Sequence, residues 1–367
     1  MKLVVFGLTI SSSWGNGHAT LWRGLVKALA RRGWTVVFYE KDVSWYAGAR
    51  DYHAIPGGEL VLYRDLADFR QHAERHLADA DVAMVTSYCP DGIAATDLVL
   101  AAPRPRRLFY DLDTPVTLAR LGDGESLPYI GARGLADFDL VLSYTGGPAL
   151  DALKRHLGAP ATAALYGHVD PDVHRPAAPD PAFAGAMSYI GTFAADRQAA
   201  LETLLVAPAR RRPDSRFVIA GAQYPDDFPW GDNIFFVRHL AAEAHPAFYA
   251  SSRLTLNVTR EAMARSGWCP SGRLFEAAAC GAAVLSDWWP GLDAFFEPGE
   301  EILIGRSADD ALMALDLSDA DLSRIARAAR DRALAEHTSD HRAAEFEAIL
   351  DREPVGILPR EPARLEG

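Results

Sequence analysis

The chain has 367 residues, 49% of them hydrophobic and 23% charged. At about 150 residues per domain this implies roughly two to three folded domains and excludes a single small module or a disordered chain. The 37 basic and 49 acidic side chains leave a formal charge of −12, which repels polyanions, so a nucleic-acid polymer is not expected as a partner.

Three cysteines, Cys89, Cys269 and Cys280, form no CxxC pair, and no histidine stands at zinc-finger spacing; a reduced, cytoplasmic protein is expected. The first apolar run, Leu3 to Ile10, is too short for a secretory segment and reads as a buried strand. No other run reaches the roughly 20 residues that span a bilayer, so no transmembrane segment is expected.

Short apolar runs then alternate with helical patterns: Leu3 to Phe6, Val36 to Tyr39, Leu60 to Tyr63, Val82 to Thr86, Leu108 to Tyr110 and Leu140 to Leu142. Continuous apolar strands separated by helices predict a parallel sheet covered on both faces. One helix is expected from His18 to Arg32, ended by Gly33 as a left-handed cap, and another from Pro115 with Thr114 as its N-cap. Between Gly167 and Gly185, Pro171, Pro176, Pro179 and Pro181 interrupt any regular ladder, which marks the domain boundary. The alternation resumes with Met187 to Ile190, Phe217 to Ala220, Ile234 to Val237, Leu254 to Leu256, Ala283 to Leu285 and Ile302 to Ile304. Helical stretches from Ser318 to Glu336 and Ser339 to Leu350 follow, and the Pro-rich tail from Glu353 is expected to be loose.

The fold class is therefore α/β, with two Rossmann-like domains facing a cleft. Open α/β sheets bind ligands at the carboxyl ends of their strands, so the chemistry is sought in the strand-to-helix loops. After the first strand, Ser11-Ser12-Ser13-Trp14-Gly15-Asn16-Gly17-His18 turns into a helix. Gly17 lets the backbone approach a ligand, and His18 at the helix start would take a proton from a hydroxyl; the plainer reading is a tight turn with a packed histidine. Glu40, at the end of the second strand, suits the ribose of a dinucleotide, but the loop lacks G-x-G-x-x-G.

In the second half, Ser271 and Gly272 open a helix whose N–H groups would receive a diphosphate, Arg273 adds positive charge, and Glu276 would accept hydrogen bonds from two ribose hydroxyls. The alternative is a capped helix with an ordinary Glu. His239 would touch the base or diphosphate, or be a satisfied loop histidine. His72 and His76, like His337 and His341, stand at i,i+4, a spacing that serves metals but more often a solvated helix face.

The stretch from Ser271 to Asp287, with Trp288-Trp289-Pro290-Gly291-Leu292 and Glu297-Pro298-Gly299, resembles the donor signature of two-domain GT-B glycosyltransferases. More narrowly it is similar to the CgeB-like (spore maturation protein) glycosyltransferase family. Further matching stretches are Tyr110-Asp111-Leu112-Asp113-Thr114-Pro115, Gly167-His168-Val169-Asp170-Pro171, Leu256-Asn257-Val258-Thr259-Arg260 and Glu336-His337-Thr338, so the likeness covers nearly the whole chain.

The resemblance implies transfer of a sugar from a nucleoside-diphosphate sugar, a UDP-sugar favoured, to an unknown acceptor hydroxyl, with no metal and no further cofactor. It implies domains at 1–170 (acceptor side) and 185–338 (donor side), a linker at 171–184, and a last helix, 339–352, returning to the first domain. Glu276 corresponds to the ribose carboxylate, and Arg197 takes the place of a diphosphate-binding lysine. Gly17, Asn257 and Arg260 join the donor set; Arg260 or Arg273 would make up for Thr192, which stands where relatives carry a second cation. Trp268 replaces a second Glu eight positions before Glu276, leaving the stereochemical outcome open, and would stack on a sugar face or belong to local core. For an inverting reaction the general base is His18 or Asp113. A nucleotide-sugar epimerase and a non-catalytic nucleotide-sugar-binding protein are the rival readings.

Overall fold

The computed structural model describes residues 1–352; the tail expected to be loose, 353–367, lies outside the described residues. Two separate parallel sheets carry the chain. The first holds β1 (Lys2–Gly7), β2 (Thr35–Lys41), β3 (Glu59–Tyr63), β4 (Val82–Thr86), β5 (Arg106–Asp111), β6 (Leu140–Ser143) and β7 (Thr162–Ala164), in the order β3-β2-β1-β4-β5-β6-β7. The second holds β8 (Gly185–Ile190), β9 (Phe217–Gly221), β10 (Ile234–Arg238), β11 (Ser252–Asn257), β12 (Val284–Ser286) and β13 (Leu303–Ile304), in the order β10-β9-β8-β11-β12-β13.

Side chains alternate across each strand, so the apolar runs feed a core on either face. In β1, Val4 and Phe6 join one buried cluster while Leu3 and Val5 join the other; Met187 and Tyr189 of β8 point to one side of the second sheet, Ile190 to the other. Strand order reverses beside β1 and β8, which makes the crevices outside their carboxyl ends the natural ligand sites.

Three local expectations are corrected. Strand β7 was not legible, because three small residues, Thr-Ala-Ala, carry no periodicity. The helix expected from Pro115 spans Thr114–Gly122, with Asp113 in the N-cap position. Thr114 does not cap it: its hydroxyl meets the Ser143 hydroxyl at 2.7 Å. His337 and His341 share no helix, since the chain breaks at Thr338, whose side chain caps Ser339–Asp351.

The last helix, Ser339–Asp351, lies against His18–Arg31 of the first domain. Ala343, Phe346 and Ile349 enter that domain's core, Phe346 meets Trp34 with ring centroids 5.7 Å apart, and the Trp34 indole donates to Glu347 at 2.8 Å. The two crossings between domains run side by side: Val169 N–H donates to the His337 carbonyl at 2.9 Å and Ser339 N–H to the Val169 carbonyl at 2.8 Å. Beside them His168 Nδ1 lies 3.0 Å from the Ser339 hydroxyl.

Trp268 is the wedge at a further contact. Its carbonyl accepts from Gly146 N–H at 2.9 Å and its own N–H donates to Pro290, while its ring fills the space a Cβ would need at Gly147 and at Gly291. The ring is half-buried and packs against the core of the second domain, the local packing role of the two readings. Among the described residues, no helix is long and apolar enough to cross a membrane.

Candidate active site between the two sheets

The carboxyl ends of the two sheets enclose a cleft of about 460 Å³, lined by Gly17, His18, Thr20, Tyr88 and Asp113 on one wall and by Gly191 to Ala194, Arg197, His239, His245, Arg260 and Ser271 to Arg273 with Glu276 on the other. The structure thus brings together every nominated residue except Asn257. Asn257 is buried at the end of β11, where its amide donates to the Ser286 hydroxyl at 3.0 Å. It ties two strands together and is absent from the cleft lining.

On the first wall, the loop after β1 is pinned from beneath. Glu40, fully buried, accepts from Ile10 N–H at 2.8 Å, Ser11 N–H at 2.9 Å and the Ser11 hydroxyl at 2.5 Å. A carboxylate occupied this way is not free for a ribose, so this feature of a dinucleotide site is lost. Asn16 lies just before the helix His18–Arg31, its side-chain oxygen accepting from His18 N–H at 3.0 Å. The His18 ring then reaches the cleft with Nε2 3.9 Å from Asp113 Oδ1, while its buried Nδ1 has no partner. Asp111, two residues before Asp113, is wholly buried; desolvation, opposed by its hydrogen bonds from the Asp113 N–H and the Thr117 hydroxyl, pushes its carboxyl up to about 6. It braces the turn that presents Asp113.

On the second wall, Ser271 precedes the helix Gly272–Ala279, whose first residues, Gly272 and Arg273, line the cleft. Three arginines stand around this point, in different electrostatic states. Arg197 donates to the Thr192 carbonyl at 3.2 Å, its Nε is buried without a partner, and burial lowers its pKa. Arg273 donates weakly to the Val258 carbonyl at 3.3 Å, lies 5.4 Å from the Tyr189 ring centroid, and keeps an unpartnered buried Nη1. Arg260 is already neutralised by Asp196 at 2.9 Å. His239 sits in a left-handed conformation, φ 53°, with its N–H on the Gly221 carbonyl.

Glu276 is 8% exposed. Its Oε1 accepts from the Thr20 hydroxyl of the opposite domain at 3.1 Å and lies 3.9 Å from His174 Nε2. Burial alone would raise its carboxyl, but His174, His245, the Thr20 hydroxyl and Arg273 outweigh it and hold the group below its ordinary value. Thr20, Tyr88, Tyr189 and His174 escaped sequence reasoning. None carries a local signal: His174 lies in the Pro-rich connection, and the others sit in ordinary helical, loop and strand patterns.

A family model described as glycosyl transferase-like matches residues 197–348. No curated protein matches the chain. Among solved structures, sucrose-phosphate synthase from Thermosynechococcus elongatus is similar with a TM-score of 0.69 at 15% identity, covering 95% of this chain and 98% of that one. HepE from Anabaena, solved with UDP-glucose, gives 0.68 at 12%, covering 95% and 99%. An alpha-glucosyltransferase solved with UDP and a mismatched DNA gives 0.66 at 12%, covering 96% and 99%. Since one protein of this architecture was solved on DNA, net charge alone does not exclude a nucleic-acid acceptor. The chain has the two-domain GT-B fold of these structures, and the glycosyl transferase-like match falls within its second domain and the helices that follow it.

Proposed function

We propose that the protein transfers a sugar from a nucleoside-diphosphate sugar, a UDP-sugar in the first instance, to an acceptor hydroxyl, and that it manages the leaving diphosphate without a metal. One observation carries this reading. A single cleft sets a carboxylate, two arginines that each keep a buried nitrogen without a hydrogen-bond partner and a helix N-terminus on one wall, opposite a His–Asp pair on the other. The UDP complexes of similar folds support the choice of nucleotide, and the CgeB-like likeness remains the narrower family reading. Cys89, Cys269 and Cys280 are buried free thiols, which supports a reducing compartment such as the cytoplasm.

Departure of the diphosphate builds negative charge where the N–H groups after Ser271 and the Arg197 and Arg273 guanidiniums converge, and fixed donors there lower the barrier without reorganising. Glu276 takes the ribose hydroxyls, displacing the Thr20 hydroxyl that now occupies it. His18 accepts the acceptor's proton on an inverting path, with Asp113 stabilising the imidazolium. Calorimetric titration with UDP and with NAD tests the donor class: UDP binds and NAD does not. Glu276→Gln weakens UDP binding by about 10-fold or more, as expected for a lost hydrogen bond to a charged group; unchanged affinity removes Glu276 from the ribose role. His18→Ala loses turnover while keeping UDP affinity, and wild-type turnover rejects the base. Proton NMR of the first-formed product assigns its anomeric configuration.

A further inference from the structure

We infer that His174, His245 and Glu276 form a binding site for a divalent transition-metal ion, Zn²⁺ fitting best, and that this ion and the ribose of a donor exclude one another. The second half rests on the ribose role proposed for Glu276; the first does not.

Three separate elements converge here. His174 comes from the connection between domains and is buried, its N–H held on the Asp170 carbonyl. His245 opens the helix His245–Ala250, and Glu276 lies in the second turn of Gly272–Ala279. His174 Nε2 stands 3.3 Å from His245 Nδ1 and 3.9 Å from Glu276 Oε1, and one donor atom from each of the three residues falls within 4.8 Å of the others. Metal–ligand bonds of about 2.0–2.1 Å at tetrahedral angles place donors roughly 3.3–3.5 Å apart. The set closes on an ion with changes in donor separation of at most about 1.4 Å.

The donor chemistry selects the ion. Two imidazoles and one carboxylate suit Zn²⁺, and an all-oxygen cation such as Mg²⁺ gains little from them. His245 and Glu276 line the cleft, so a fourth position opens towards it and admits water or a ligand hydroxyl. An ion there engages the carboxylate that a ribose diol would otherwise use. Zinc would then act as an occupancy switch on the donor site, and not as a participant in transfer.

A second trio, Glu59, His72 and His76, lies on the surface of the first domain, and the experiment removes it. In a His72→Gln/His76→Gln background, nucleotide-free protein is titrated with Zn²⁺ by calorimetry and with Co²⁺ by visible absorption, Mg²⁺ serving as control. One Zn²⁺ per chain, tetrahedral Co²⁺ bands and no Mg²⁺ binding are expected. His174→Gln and His245→Gln, each checked by circular dichroism, should weaken Zn²⁺ binding by at least about 100-fold. Absence of stoichiometric Zn²⁺ binding, or equal binding in both variants, overturns the site. Added UDP should weaken Zn²⁺ binding in proportion to UDP occupancy, and simultaneous binding of both overturns the exclusion. Failure of UDP to bind at all counts against the proposed function, while the nucleotide-free titration still decides the metal site.

Discussion

The three arginines of the donor wall are chemically alike in sequence and unequal in the structure, which yields a ranked prediction. Arg197 and Arg273 spend their hydrogen bonds on the Thr192 and Val258 carbonyls and each keeps a buried, unpartnered nitrogen. Arg260 already carries a carboxylate, Asp196, at 2.9 Å, in a pair whose side chains are 29% and 28% exposed. A charge-assisted hydrogen bond to phosphate contributes about 1.5–3 kcal/mol, so Arg197→Ala and Arg273→Ala should each raise the Kd of UDP by about 10- to 150-fold. Arg260→Ala should cost less than about 5-fold, since a partly exposed, neutralised pair contributes about 1 kcal/mol or less. Asp196→Asn releases Arg260 and should tighten UDP. The assay is calorimetry with UDP against uridine, on variants whose melting shows them folded; uridine affinity stays constant throughout. An Arg260→Ala loss equal to that of Arg197→Ala, or equal losses for uridine, refutes the argument.

Two further outcomes concern the seam between domains. Phe346 is 1% exposed in the core that the last helix shares with the first domain, so Phe346→Ala should destabilise the protein by about 3–5 kcal/mol in denaturant unfolding; a loss below about 1 kcal/mol would mean that the helix is only loosely docked. Burial and the nearby Arg342 push the His168 and His337 imidazoles down to about 3. Between about pH 6.5 and 3 the unfolded chain therefore binds protons that the native seam refuses. Stability from these groups is complete above about pH 6.5 and falls on acidification, with a slope approaching 2.7 kcal/mol per pH unit for two protons. A double His168→Asn/His337→Asn variant should flatten that slope, and an unaltered slope discards the mechanism.

Much of the molecule was legible because its signals are local. Continuous apolar runs such as Leu3 to Phe6 and Val82 to Thr86 announce buried parallel strands, and the helix starts at Ser271-Gly272 and Ser318 fall where the sequence places them. Glu276 and Arg273 were nominated from a loop where a parallel sheet receives ligands and Arg197 from the family resemblance, and all three line the cleft.

What escaped depends on contacts between residues far apart in the chain. Asn257 looked like a strand-end ligand, but Ser286 on the neighbouring strand takes its amide. Arg260 looked like a free cation, but Asp196 neutralises it from 64 residues away. Trp268 was open between a sugar platform and local core, and Gly147 and Gly291, from different domains, leave room for its ring between them. Glu40 and Glu276 are both acids at the edge of an α/β cleft. Three donors from the loop after β1 consume the first, while the second meets a hydroxyl from the opposite domain and two histidines with no local signal. Periodicity and capping act over a few residues and so determined two parallel α/β domains from the sequence alone. Pairing, burial and free charge act through space, and only the tertiary structure decided which arginines, which carboxylate and which histidine remain available for chemistry.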